Sequence, residues 1–204
     1  MITSDIINYL YETDTKLQQV IFDIDAIPKL ESPNSIFEDL VSCILDMQIR
    51  YRGKAIRFKR LKELLNEQVV THENIFSIGE SGLAHINMSR QKYNALIDIT
   101  QYWETHELKN FDWELAEDNH IRNLLLPIKG ISHWSIDMVL LFTLGRKNIF
   151  PTDDYQVKKI MSKLYVIDDS QNLKTEMLNI SKAWQPYCSV AVLYLLEARK
   201  LKLI

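Results

Sequence analysis

Apolar side chains recur at helical spacing along nearly the whole chain, and almost nothing in it is spaced like a strand. Ile36-Phe37, Leu40-Val41, Ile44-Leu45 and Gln48 fall at i, i+3, i+4 and i+7, one face of a helix. The longest β-branched or aromatic clusters are only Val69-Val70-Thr71 and Tyr165-Val166-Ile167. Five glycines and five prolines are too few for a turn-rich all-β fold. Punctuation agrees with helices. Ser89 reads as an N-cap for a helix to about Glu104, and a helix ending over Asn123 to Leu126 stops at Pro127. The next runs from Ser132 or His133 to Leu144 and closes at Gly145. Further helices are expected from Asp153 or Asp154 to Leu164 and from Leu173 to Trp184. Val190 to Leu196 is apolar all round, which predicts a helix buried on most sides. The expected fold is all-α, with about ten helices.

At 204 residues the chain can form one domain or two small ones, and Pro28 to Asn34 is the best candidate for an internal joint. A net charge of −3 offers no global attraction for nucleic acid, so any such footprint must be local. The two cysteines, Cys43 and Cys188, lie in apolar runs and read as core residues; they are too few for a disulfide framework or a four-cysteine iron–sulfur cluster. The N-terminus has no basic-then-apolar signal, and no apolar run approaches membrane-spanning length. A soluble intracellular protein is expected, cytoplasmic in a bacterium or nuclear in a eukaryote. The five histidines show no ligand spacing with each other or with cysteine, and no metal site is assigned.

Chemistry concentrates between Gly130 and Asp154. A glycine turn opens an apolar helix, and helix N-termini offer N–H groups to anions such as phosphate. Phe150-Pro151-Thr152-Asp153-Asp154 then places a carboxylate 24 residues after Gly130. Both features have plainer readings. The first is an ordinary helix-to-helix turn with a serine cap; the second is an acidic N-cap for the following helix. Trp134, in the first turn of its helix, reads as a core anchor as readily as a stacking surface. Arg50, Arg52, Lys54, Arg57, Lys59 and Arg60 put six positive charges in eleven residues with no acid, either a solvated helix face or a local phosphate surface. A helix carrying all six would spread them around its circumference, so only a subset near Gln48 is expected to meet phosphates.

Together these stretches resemble the helix-hairpin-helix (HhH-GPD) DNA glycosylase superfamily, alkylpurine type, the DNA-3-methyladenine glycosylase II family. Leu126-Pro127-Ile128-Lys129-Gly130-Ile131-Ser132-His133-Trp134-Ser135 looks like its hairpin, with Ser132 where the second glycine usually stands. Phe150 to Asp154 resembles its Phe-Pro-x-x-Asp, and Ile44-Leu45-Asp46-Met47-Gln48-Ile49 its Leu-Gly-Gln-Gln-Ile, with Met47 replacing the first glutamine. Asn87-Met88-Ser89-Arg90-Gln91-Lys92 and Trp184-Gln185-Pro186-Tyr187-Cys188-Ser189-Val190-Ala191 are similar to two further motifs. The likeness runs from about Asp14 to Glu197.

The resemblance implies two helical lobes with DNA across the cleft, a central lobe of about 34–150 and a second from 1–33 plus 151–204. It implies a monofunctional N-glycosylase that flips and removes alkylated purines, with 3-methyladenine the best guess. Asp154 would be catalytic, and Trp134, Tyr194 and Leu196 would line the base pocket. DNA contacts would come from Gly130, Ser132, Ser135, Gln48, Arg50 and Arg52, with Gln48 filling the space the flipped base leaves. Strand-cutting relatives carry a lysine where this chain has Trp134, so water rather than an amine would be the nucleophile. No cofactor is required, although a monovalent cation at the hairpin carbonyls is possible. The partner would be damaged double-stranded DNA, and the protein a monomer. A non-catalytic DNA-binding hairpin module and a glycosylase for oxidised or deaminated bases stay open.

Overall fold

The structure, a computed structural model, describes residues 2–24, 28, 34–47, 55–66, 68–168 and 172–204. Among them are eleven α-helices and no strand: α1 (Ser4–Thr13), α2 (Thr15–Phe22), α3 (Ile36–Asp46), α4 (Ile56–Leu64), α5 (His72–Ala84), α6 (Arg90–Thr105), α7 (Asp118–Leu125), α8 (His133–Met138), α9 (Tyr155–Tyr165), α10 (Leu173–Ser181) and α11 (Cys188–Lys200). The all-α expectation holds. None of these helices is long and apolar enough to cross a membrane. The chain divides into two compact units, residues 32–139 and residues 1–31 with 140–204.

The contiguous unit is built around α3, which packs on α4, α6 and α8. Its start is fixed by a reciprocal cap: Ser35 Oγ accepts from the Glu38 amide at 3.2 Å, and Glu38 Oε2 accepts from the Ser35 amide at 3.1 Å. Periodicity predicts one buried face, yet every residue from Ile36 to Leu45 is buried. The polar members survive there because each has a partner. Glu38 Oε1 takes the Val70 amide at 3.1 Å and lies 3.4 Å from Lys62 Nζ; Asp39 Oδ1 accepts from Asn34 Nδ2 at 2.8 Å. Around this hub α5 packs on α4 and α6, and α7 on α8. An Arg122–Asp137 ion pair at 2.6 Å ties α7 to α8.

Where the sequence predicts one helix to Leu144, the α-helical hydrogen bonding ends at Met138 and widens into a π turn over Val139–Thr143. The boundary between units falls at Val139 and Leu140. Gly145, at φ +61°, closes the segment as expected, and the Arg146 amide returns to the Leu140 carbonyl at 2.9 Å.

In the second unit α11 packs on α2 and α9, α1 on α2, and α10 on α9. Residues Cys188 to Leu195 and Ala198 are buried, as the all-round apolar pattern implies. Asp14 is the polar keystone. Its Oδ1 caps α2 by accepting from the Lys16 and Leu17 amides, while Oδ2 accepts from Tyr165 Oη at 2.7 Å and Trp184 Nε1 at 2.9 Å. Burial, reinforced by that carboxylate, pushes the Tyr165 hydroxyl well above the usual tyrosine range. Both cysteines are buried and unbridged. Burial pushes the Cys188 thiol up to about 11 and the Cys43 thiol higher still, which suits core residues rather than nucleophiles.

Candidate functional site

The hairpin lies in the contiguous unit. After α7 the chain makes two tight turns, Ile128 N–H to Leu125 carbonyl at 3.2 Å and Ile131 N–H to Ile128 carbonyl at 3.1 Å. Gly130 is the third residue of the second turn, at φ +85°, a conformation that disfavours any side chain. A β-carbon there would come within 2.7 Å of Ala95 Cβ on α6, so glycine is demanded twice over. Ile128 is buried and anchors the turn, while Lys129, Gly130, Ser132 and His133 are exposed. Asp98 on α6 holds the near side, accepting from the Lys129 amide at 3.0 Å and pairing with Lys129 Nζ at 3.2 Å.

Ser132 is the N-cap of α8, its Oγ accepting from the Ser135 amide at 3.3 Å. Ser135 itself is only 3% exposed, with its hydroxyl 3.2 Å from Ser132 Oγ. Its side chain therefore supports the cap from inside rather than facing solvent. Trp134 is half-buried next to them.

The carboxylate lies in the other unit. The sequence offers an acidic N-cap here without choosing between Asp153 and Asp154; the structure chooses Asp154. Asp154 is the N-cap, with Oδ1 accepting from the Gln156 and Val157 amides at 2.9 Å each. It is 4% exposed. Asp153 is exposed instead, and Lys174 at 3.3 Å with Lys158 at 3.6 Å holds its carboxyl below the usual range against the opposing effect of partial burial. Tyr194 is 2% exposed within α11, where burial raises its hydroxyl above the ordinary value, and Leu196 is half-buried.

Gln48, Arg50, Arg52 and Lys54 lie outside the described residues. Of the same basic run, Arg57 is committed to Asp46 at 3.4 Å and to the Asn87 carbonyl at 3.2 Å, and Arg60 donates to the Ile86 carbonyl at 3.3 Å. Lys59 is exposed beside Glu63.

Two residues without a role in the sequence reading stand out. Lys92 Nζ donates to the Leu45 carbonyl at 2.6 Å, tying α6 to the end of α3; its ammonium is shifted down by partial burial and by Arg57. Ser189, fully buried, bonds the segment that leads to Asp154. Both stand in motif matches quoted above, the one signal that could have found them.

A buried hub helix, a helix–hairpin–helix turn and an acid-capped helix define an all-α protein of the helix-hairpin-helix class. The chain belongs to the HhH-GPD superfamily of base excision DNA repair proteins, whose family model matches residues 41–186. It is 28% identical over 181 residues to the putative DNA-3-methyladenine glycosylase YfjP of Bacillus subtilis, covering 86% of this chain and 63% of that protein. It is 24% identical over 147 residues to DNA-3-methyladenine glycosylase 1 of Schizosaccharomyces pombe, covering 66% and 64%. The chain thus spans less than two thirds of either curated relative. Among solved structures, a DNA-3-methyladenine glycosidase from Bacillus halodurans superposes with TM-score 0.77 at 26% identity, over 96% of this chain and 89% of that one. The Schizosaccharomyces pombe 3-methyladenine DNA glycosylase in complex with abasic DNA shares the fold at TM-score 0.78 and 21% identity, over 97% of each chain.

Proposed function

We propose that this chain is a monofunctional DNA N-glycosylase that removes alkylated purines, 3-methyladenine type foremost, in base excision repair. Asp154 carries the reading: a buried carboxylate fixed at the head of α9 in the superfamily's Phe-Pro-x-x-Asp position. Extruding the target nucleotide costs a few kcal/mol, least for a damaged pair. The Gly130 turn grips the lesion-strand phosphates, Gln48 fills the gap, and Trp134 stacks on the extruded base. An alkylated purine is electron-poor and already a good leaving group. The demanding task is to stabilise the oxocarbenium-like sugar as the N-glycosidic bond breaks, which a fixed negative charge does in a water-poor site. Water then adds to the sugar carbon and yields an abasic site. Main-chain carbonyls of the exposed Lys129–Ser132 turn are the groups that would hold a monovalent cation against the DNA backbone. The protein acts as a monomer in the compartment that holds the genome.

One observation favours a second reading, a DNA-binding module without chemistry: Asp154 already has a structural duty as a cap. Asp154→Asn separates the two, because asparagine caps helices as well as aspartate but carries no charge. We expect the variant to keep its melting temperature within a few degrees and to bind lesion duplex as tightly as wild type. Base release should fall by about 10²-fold or more, on the scale of removing one transition-state electrostatic contact. Release near the wild-type rate would remove Asp154 from the mechanism; a wild-type protein that binds alkylated duplex and releases nothing would establish the binding module. Identifying the released base separates alkylated from oxidised or deaminated substrates. With Trp134 in the lysine position, product DNA should hold intact abasic sites, and borohydride during turnover should trap no covalent complex.

A further inference from the structure

The segment from Arg146 to Asp154 is irregular, yet Ile149 and Pro151 within it are buried. Buried main chain outside a helix needs partners for its N–H and C=O groups. Ser189, in the first turn of α11 and fully buried, provides them. Its Oγ donates to the Arg146 carbonyl at 2.5 Å and accepts from the Ile149 amide at 2.8 Å, while its own amide donates to the Lys147 carbonyl at 3.0 Å. Three bonds thus fasten Arg146, Lys147 and Ile149 to one buried helix. Five residues beyond Ile149 stands Asp154. The intervening chain is short of slack: Phe150 packs edge-on against Trp184 at 5.6 Å, and the Thr152 and Asp154 amides bond back to the Phe150 and Pro151 carbonyls at 3.0 and 3.1 Å.

We propose that Ser189 is a positioning residue for the Asp154 carboxylate, holding the approach to α9 in register through the Arg146–Ile149 main chain. The chemistry of the side chain supports this. A serine hydroxyl is the smallest group that donates and accepts at once, and both functions are in use here. Alanine would leave the buried Ile149 N–H without its Ser189 acceptor, and the segment would have to shift to satisfy it. A displacement on the order of 1 Å in a catalytic group costs about 10²-fold in rate. Rigidity bought by α11 is thereby delivered to a carboxylate 35 residues earlier in the chain.

This inference rests on Asp154 acting in base release, and the experiment keeps the two failures apart. Ser189→Ala, Ser189→Cys and Asp154→Asn are compared with wild type in single-turnover excision from a duplex holding one alkylated purine. Binding to an uncleavable abasic-analogue duplex and thermal unfolding are measured alongside. For Ser189→Ala we expect the single-turnover rate to fall about 10- to 100-fold with the dissociation constant unchanged within about twofold. Ser189→Cys, near-isosteric and a weak acceptor, should recover part of that rate, and it carries the test if the alanine variant does not fold. Wild-type rates in both variants would overturn the positioning role. So would rate and affinity falling in equal proportion, or cysteine no better than alanine, since these mark a general loss of structure. Full activity in Asp154→Asn would instead overturn the role of the acid, whatever Ser189 does.

Discussion

A single β-carbon is what Gly130 cannot accept, and the two reasons can be measured apart. At φ +85° an alanine is strained, and its methyl would press on Ala95 Cβ at 2.7 Å. Gly145, at φ +61°, is likewise in positive-φ backbone, with nothing within 4 Å. Gly145→Ala should therefore cost about 1 kcal/mol and Gly130→Ala about 2–3 kcal/mol in urea unfolding. Equal costs would mean that the approach to α6 carries no energy. Gly130→Ala should also weaken damaged and undamaged duplex alike, since phosphate contacts position without specifying. That glycine was legible in the sequence because a turn's need for positive φ is a local property. The cap of α9 was not, because two adjacent aspartates compete for one role. Asp154 takes it, while Asp153 meets Lys174, 21 residues away, a contact that no local pattern announces. That the Ser135 side chain is buried while Ser132 is exposed was likewise not readable from spacing.

Helices as elements were far more legible than their ends and their surroundings. Ser89 caps α6 and α11 is buried where the pattern says, because cap chemistry and apolar runs act within a few residues. The α3 helix shows the limit: periodicity marks one apolar face, whereas burial of Glu38, Asp39 and Ser42 depends on partners such as Lys62 and Asn34. The π turn at Val139 has no sequence signature at all. Within α5, Glu73 offers a test of electrostatics at the element scale. Lys109 at 2.8 Å, aided by main-chain bonding at the start of the helix, holds the Glu73 carboxyl down at about 2 from an ordinary value of 4.5. A depressed carboxyl stabilises the fold above the ordinary value, and that benefit is lost as pH falls towards about 2. Half the side chain is exposed, so solvent screening keeps the benefit at neutral pH under about 1 kcal/mol. Glu73→Gln should thus be slightly less stable than wild type at pH 7, with the gap closing between pH 4.5 and about 2 in urea unfolding followed across that range. A gap that widened on acidification would reverse the assigned sign.

For the molecule as a whole, a net charge of −3 gives no long-range attraction for duplex DNA, so the proposed contacts with it must be local. Arg57 and Arg60 are occupied within the protein, so the phosphate contacts of the basic run should come from its earlier members. Neutralising Arg52 should flatten the slope of log K against log salt by about 0.9 for a true phosphate contact, while Arg60→Gln leaves it unchanged. Anisotropy titrations at several salt concentrations decide this, and a slope altered only by Arg60→Gln would put the DNA on the other side of that run. The division of the chain also bears on how it is made. Asp14 accepts from Tyr165 and Trp184, groups 151 and 170 residues away, whereas residues 32–139 form a contiguous unit. During synthesis at about 5–20 residues per second, the first two helices leave the ribosome on the order of ten seconds or more before their partners exist. Leu10 and Leu17, fully buried at the end, must wait in water or in the care of a chaperone while the middle of the chain folds ahead of them. It is α11, translated long after α1 and α2, that lets those two settle, so a nascent chain halted before Trp184 should bury residues 32–139 and leave α1 and α2 open to protease.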